Sequence, residues 1–391
     1  MMIDHGLLIT LGLLFLAGLL ADQIGRHSAI PRVTLLLLCG LLVGGSGLDV
    51  VPMQLTALYP ILSVIALTMV AFLLGGALKA ATLRAQGATI LLISVAIVLA
   101  TLLIVTVGLS LVGLPIGLAM LLASIATATA PAATNDVIRQ SGVDNDFTRA
   151  LSGIVAIDDA WGLIAFSLVV TIVAQLPGPS AEVEVLNAGW EIGGALVLGL
   201  IIGCPAAYLT GRLSGGEPLQ VEALGLVFLT AGLAIWSEVS FLIAGMVAGA
   251  IIVNFASHHV RAFHEIEHIQ WPFMVIFFIL AGASLEMATA IELGGVGLAF
   301  VGLRFASRII GGWLGGTLAH VPLADRAMYG AALLPQAGVA IGMALVAAQQ
   351  FPQWSAQIMA LTVGSTVIFE LLGPVACAYA IRRSTLKDPV T

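Results

Sequence analysis

Charge is what this chain has least of. Of its 391 residues only 9% are Asp, Glu, Lys or Arg, while 60% are hydrophobic. A soluble globular protein carries roughly 25% charged residues. Fourteen Lys and Arg with 21 Asp and Glu cannot cover the surface of a soluble fold of this length. The mean hydropathy of +1.12 agrees, and apolar runs recur from end to end. Basic clusters are missing too. The net charge is −7, and no Lys/Arg run exceeds Arg382-Arg383. That excludes the basic face nucleic-acid binding requires. No G-x-x-x-x-G-K-[ST] segment is present, so nucleotide is not an expected partner. The three cysteines, Cys39, Cys204 and Cys377, are far apart within apolar runs and lack CxxC spacing. They read as small core fillers, neither disulfides nor metal ligands. The N-terminus, MMIDHG, has no basic leader region, so residues 6–21 read as a retained helix.

The remaining class is an all-α polytopic membrane protein embedded in a lipid bilayer. A spanning helix needs roughly 20 apolar residues. The breaks between apolar runs give thirteen spans, at about 6–21, 30–47, 59–78, 88–112, 115–139, 147–175, 190–211, 218–236, 240–256, 266–284, 293–318, 325–349 and 354–382. Basic residues collect in cytoplasmic loops. With the N-terminus outside and the C-terminus cytoplasmic, alternate loops hold Arg26, Arg32, Lys79, Arg84, Arg139, Arg149, Arg212, Arg261, Arg326, Arg382, Arg383 and Lys387. The opposite loops hold none, but carry Asp49, Glu182, Glu184, Glu191, Glu238, Glu286 and Glu292.

The two basic residues left over, Arg304 and Arg308, lie inside the eleventh span. Charge at membrane depth is costly and marks function by default. Asp158 and Asp159 sit mid-way along the sixth span, in IVAIDDAWGLI, and Glu370 near the middle of the thirteenth. Adjacent carboxylates project about 100° apart on a helix, so one can meet a partner helix while the other faces a cavity. Three buried acids against two buried arginines leave one carboxylate uncompensated. Such a group requires a proton or a cation, and a group able to take either is a site of competition between them. Arg304 and Glu370 are expected to form a second buried pair that stabilises the core.

Two spans are interrupted. The fifth reads LLASIATATAPAATNDVI, where Pro131 removes a donor and displaces the carbonyl of Thr127. The twelfth, LLPQAGVAIG, breaks around Pro335, Gln336 and Gly338. Unwound backbone at membrane depth is tolerated only where it lines protein or a water-filled cavity. Paired interruptions in corresponding halves point to a transporter site built from inverted repeats.

The IDDAWGL segment, the ATAPAATNDVIRQSG break one span earlier and SRIIGGWLGG in the eleventh span together resemble the monovalent cation:proton antiporter superfamily. Within it they are most similar to the paired-aspartate sodium/proton antiporters (NapA-like). FFILAGASLEM and the interrupted twelfth span add support, and the resemblance runs over the whole chain. It implies an NhaA-like antiporter fold: inverted repeats with two broken, crossing helices near 127–135 and 335–338. It also implies core, ion-translocating helices over about 59–175 and 266–382, and dimerisation or scaffold helices over about 6–47 and 190–256. By position, Asp159 matches the acid that alternately binds cation and proton, Asp158 the acid paired with Arg308, and Thr129 the threonine at the break. The implied activity is exchange of cytoplasmic Na⁺, with Li⁺, for external H⁺ by a homodimer in the cell inner membrane, with no cofactor. A K⁺/H⁺ antiporter of the same fold and a passive cation channel are the alternatives. Many electrogenic relatives carry Lys at the Arg308 position. A guanidinium does not release its proton, which favours one proton per cation. Asp136, beside Arg139 at the cytoplasmic end, reads as part of a solvated helix end.

One motif points elsewhere. His264-Glu265-Ile266-Glu267-His268 matches H-E-x-x-H, the zinc protease pattern. It falls at the mouth of the tenth span and lacks a third protein ligand. With Ser257, His258, His259 and Arg261 nearby, it reads as an amphipathic linker; no metal and no enzyme activity are expected.

Overall fold

The computed structural model describes residues 5–27, 32–78, 80–174, 181–209, 217–256, 259–285, 292–336 and 338–385, and no strand occurs among them. They form fifteen α-helices. The first seven are α1 (His5–His27), α2 (Arg32–Val43), α3 (Met53–Ala77), α4 (Ala80–Leu111), α5 (Ile116–Ile125), α6 (Pro131–Ser141) and α7 (Asp146–Ala174). Next come α8 (Ala181–Leu209), α9 (Glu217–Trp236), α10 (Phe241–Phe255) and α11 (His259–Ala283). The last four are α12 (Gly294–Leu318), α13 (Leu323–Ala332), α14 (Gly338–Gln350) and α15 (Ser355–Thr385). Among the described residues eight helices are long and apolar enough to cross a membrane, and α2, α5, α9, α10 and α14 hold shorter apolar stretches.

The helices sort into two bodies by packing. In one, α4 lies on α12, α12 on α13, and α5, α6, α7, α14 and α15 close around them. In the other, α3 and α8 flank α10, α2 lies on α11, and α1 and α9 complete the layer. Small residues set these pairings, as expected where helices associate in lipid by close backbone approach. A Cβ on Gly40 of α2 would stand 2.0 Å from the Ile279 carbonyl, and one on Gly282 of α11 would stand 2.1 Å from that of Leu37. On α3 and α10, Gly75 and Gly249 interlock in the same way against Met246 and Phe72. By these contacts α3 and α11, which lie inside the expected core segments 59–175 and 266–382, are clamped to α10 and α2.

Helix α12 carries the arginines and is held on two faces. Its Gly311 and Gly315 face Ile97 and Ile93 of α4, while Gly312 and Gly316 face Gly330 and Arg326 of α13. A Cβ at Gly312 or Gly315 would meet neighbouring backbone at 2.5 and 2.6 Å.

Both expected interruptions are present. Helix α5 ends at Ile125 and α6 starts at Pro131, its first helical residue. Pro is suited to that position because the first N–H of a helix has no partner to lose. Helix α6 closes on Gly142 in the left-handed conformation, φ 65°. Helix α13 ends at Ala332, Pro335 and Gln336 lie in the non-helical stretch that follows, and α14 begins at Gly338. Each broken pair sits between two long helices, α4 and α7 for the first and α12 and α15 for the second, so the core is a repeated three-part unit.

Candidate ion-binding site

The first break leaves the carbonyls of Ala126, Thr127 and Ala128 pointing away from any helical partner, and arginines fill the gap. Arg308 Nη2 donates to all three, at 3.2 Å for Ala126 and 3.1 Å for Ala128. Its Nη1 donates to Asp158 Oδ2 at 3.0 Å. One guanidinium thus ties α12 to α7 and to the end of α5. Arg304, one turn earlier on the same face, donates through Nε to Ala126 O at 3.1 Å and through Nη2 to Ala128 O at 2.9 Å. Its Nη1 reaches Leu334 O of the second break at 2.9 Å. Arg304 is therefore the point at which the two breaks meet. Gln336 adds a weaker link, donating to Ile125 O at 3.4 Å.

Arg304 and Glu370, expected as a pair, are not brought together. The Arg304 guanidinium lies over the Phe369 ring at 4.1 Å, and Glu370, the next residue, accepts from the Thr34 hydroxyl of α2. Helix geometry explains the mismatch: neighbouring residues on α15 face about 100° apart, so Phe369 and Glu370 cannot both meet α12. Helix ends explain what Arg304 does instead. A helix C-terminus carries roughly −0.5 charge, and Arg304 sits at the C-terminal ends of both α5 and α13. Two such ends amount to about one unit of negative charge, which one guanidinium offsets.

With Arg308 on Asp158 and Arg304 on the helix ends, Asp159 has no cationic side chain as partner among the described residues. Its Oδ1 accepts from Thr129 N at 3.1 Å and Thr129 Oγ1 at 3.2 Å. Its Oδ2 is buried with no hydrogen-bond partner, as is Asp158 Oδ1. Asp158, Asp159, Arg304 and Arg308 are all 0% exposed. A buried carboxylate oxygen without a donor is expensive, and a proton or a hard cation, which prefers oxygen ligands, would relieve it. The Gln336 side-chain oxygen is likewise buried and unpartnered. Sequence reasoning placed Asp158, Asp159, Thr129 and Arg308 together but missed the carbonyl cradle. The available signal was the four-residue spacing of Arg304 and Arg308, which puts both on one helix face.

The other expected features fall outside this cluster. Asp136 forms an ion pair with Arg139, and both are exposed. The H-E-x-x-H segment opens α11, where Glu265 accepts from Gln220 at 2.8 Å. His258 and the side chains of His259 and His264 lie outside what is described. Among the described residues no group of three His, Cys, Asp or Glu could hold a metal ion.

A model of the transmembrane sodium/hydrogen exchanger family matches residues 11–378. The sodium proton antiporter MjNhaP1 of Methanocaldococcus jannaschii, solved at pH 8, superposes with a TM-score of 0.76 at 20% identity, covering 97% of this chain and 98% of its own. A second structure of the same antiporter, from electron microscopy, gives 0.72 and covers 100% of both chains. The ammonium/H(+) antiporter subunit AmhT of Alkalihalophilus pseudofirmus is 20% identical over 318 residues, 79% of this chain and 78% of the relative.

Proposed function

Because the chain belongs to the transmembrane sodium/hydrogen exchanger family, and is thus a multi-pass membrane transporter and not an enzyme, we propose that it exchanges cytoplasmic Na⁺, and Li⁺, for external H⁺ by alternating access. The single observation that carries this reading is the buried, unpartnered Oδ2 of Asp159 beside the Thr129 break. Cation and proton compete for that carboxylate. Asp158 remains bound to Arg308, which fixes the α5 end and cannot serve as a proton donor. Thr129 orients Asp159 now and supplies oxygen when a cation arrives. The reading gives one proton per cation.

Counting each broken pair as one pass gives thirteen passes, with the N-terminus outside and the C-terminus in the cytoplasm of a cell inner membrane. The α4–α7 and α12–α15 helices form the moving core, and the body built on α2, α3 and α8–α11 is the scaffold through which two copies pair. A channel could also use an acidic group for selectivity, but it would not need a buried carboxylate for which proton and cation compete.

Proteoliposomes loaded at acidic pH with an internal pH dye, then pulsed with Na⁺, Li⁺, K⁺ or NH₄⁺, test the proposal. NH₄⁺ belongs in the panel because AmhT is named for it. Cation-driven proton movement, largest with Na⁺ and abolished in Asp159→Asn, is the expected result. Cation flux without proton movement would establish a channel instead. A larger response to K⁺ or NH₄⁺ would keep antiport and change the substrate.

A further inference from the structure

One buried acid takes no part in the site above. Glu370 of α15 is 6% exposed, and its partner is the hydroxyl of Thr34, itself 3% exposed, on α2. Helix α2 belongs to the scaffold body, locked to α11 through Gly40 and Gly282, whereas α15 packs on α14, α13, α6 and α12 of the core. The contact therefore crosses the seam between the two bodies. Among the described residues the other polar links that do so include Thr171 donating to Glu191 at 2.7 Å, Gln349 donating to Ser63 at 3.0 Å, the Ser167–Ser240 hydroxyl pair at 3.2 Å and Ala80 N donating to Asn254 at 2.7 Å.

No cation answers Glu370. On the elements packed against α15, Arg304 is bound to carbonyls, Arg308 to Asp158, Arg139 to Asp136, and Arg326 to Val321 O and Thr317. Asp159 is held by Thr129, Tyr329 stacks on Phe147 at 4.5 Å, and Asp325 lies in the first turn of α13. On α2 itself, Arg32 stacks over Trp271 at 4.3 Å and lies 3.7 Å from Asp22, and Cys39 is the remaining titratable group. None of these cations is within ion-pair distance of Glu370 among the described residues. Thr366 and Thr362, one and two turns before Glu370, are also buried, and their hydroxyls have no partner. This stretch of α15 carries neutral polar groups.

A carboxylate that meets only one threonine, through its hydroxyl and its first-turn backbone N–H, and faces no cation is short of the donors a buried ion needs, while a carboxylic acid can both give and take a hydrogen bond with that threonine. We propose that Glu370 is a second proton-binding site, distinct from the Asp158–Asp159 cluster, whose proton is held across the core–scaffold seam by Thr34. The acid acts as a latch: the hydrogen bond must break when the core slides, so this proton is exchanged only with movement. The latch rests on the alternating-access reading; the proton assignment does not.

Infrared spectroscopy of the reconstituted full chain at neutral pH tests the proton assignment. Glu370→Gln should remove one carbonyl-stretch band of a protonated carboxylic acid. Thr34→Val, which leaves the acid in place, should move that band to higher frequency by removing its hydrogen bond. Unchanged protonated-carboxyl intensity in Glu370→Gln, or no shift in Thr34→Val, overturns the proposal, whatever ion the protein carries. Should Glu370→Gln not fold, the Thr34→Val shift decides alone. For the latch, turnover is compared in Thr34→Val, Glu370→Ala and the double variant. A double variant matching the stronger single one supports coupling, and multiplied effects refute it. Loss of all antiport in the wild type would refute the transport reading and leave the infrared result standing.

Discussion

Replacing Arg304 by Met tests whether this arginine binds helix ends or an acid. The change keeps an unbranched side chain of similar reach and deletes the charge and every donor. Leu334 O, for which Arg304 supplies the side-chain donor, loses it. Ala126 O and Ala128 O keep Arg308 Nη2 at 3.2 and 3.1 Å, so their loss is partial. One stranded buried acceptor costs about 1–3 kcal/mol. Two weakened charge-assisted bonds and the contact with Phe369 add about 1–2 kcal/mol more. The expected destabilisation is about 2–5 kcal/mol, overlapping the range for removing a buried charge from its partners. Arg304→Lys should recover less than half of it, because an ammonium is a point charge and cannot bridge three carbonyls set in two loops. Reversible unfolding of the detergent-solubilised protein measures both. The control is Glu370→Gln. If Arg304 and Glu370 were a pair, this change would cost about as much as Arg304→Met; on the geometry described it should cost under about 1 kcal/mol. Equal losses in the two variants, or full rescue by Lys, would refute the reasoning.

Two further outcomes follow from the same geometry. With one proton and one cation competing for Asp159, protonation blocks the cation, so the apparent cation affinity should fall as pH falls, by about tenfold per pH unit once protonation dominates. A slope near a hundredfold, measured as half-maximal cation concentration against pH in proteoliposomes, would show two protons; if the slope stays near a hundredfold in Glu370→Gln, the second proton belongs to Asp158 and releases it from its fixed role. Gly315→Val places a branched side chain where a Cβ alone would stand 2.6 Å from the Ile93 backbone. It should destabilise the core by more than about 2 kcal/mol and lower the yield of folded protein. The same change at Gly302, which has nothing within 4 Å, should be tolerated in size-exclusion and thermal assays.

Composition and spacing made the membrane class and the two broken helices legible, because each rests on a strong local rule: charge is scarce in lipid, and Pro131 and Pro335 interrupt hydrogen bonding. The Asp158–Arg308 partnership was legible only through the family resemblance, since charge counting alone does not say which acid meets which arginine. Two things were not legible. The division between bodies depends on which glycine meets which backbone, and Gly75 and Gly249 look like any other small residues until α3 and α10 are placed side by side. The role of Arg304 was hidden because its ligands are carbonyls, which every residue has. Counting side-chain charges therefore assigned it to Glu370, the nearest acid without a partner, and overlooked the partial charges at the ends of α5 and α13.

That choice of ligand bears on how the chain can change over generations. A site built from side chains is lost when any one of them is substituted. The Arg304 cradle consists of the main-chain oxygens of Ala126, Ala128 and Leu334, and a substitution at these positions changes the side chain while leaving the oxygen in place. Drift at 126, 128 and 334 is limited by the space around each side chain and by the course of the backbone, and the ligands themselves are immune to it. Most of the vulnerability of the joint between the two breaks is gathered in position 304, with the weaker link from Gln336 to Ile125 O beside it.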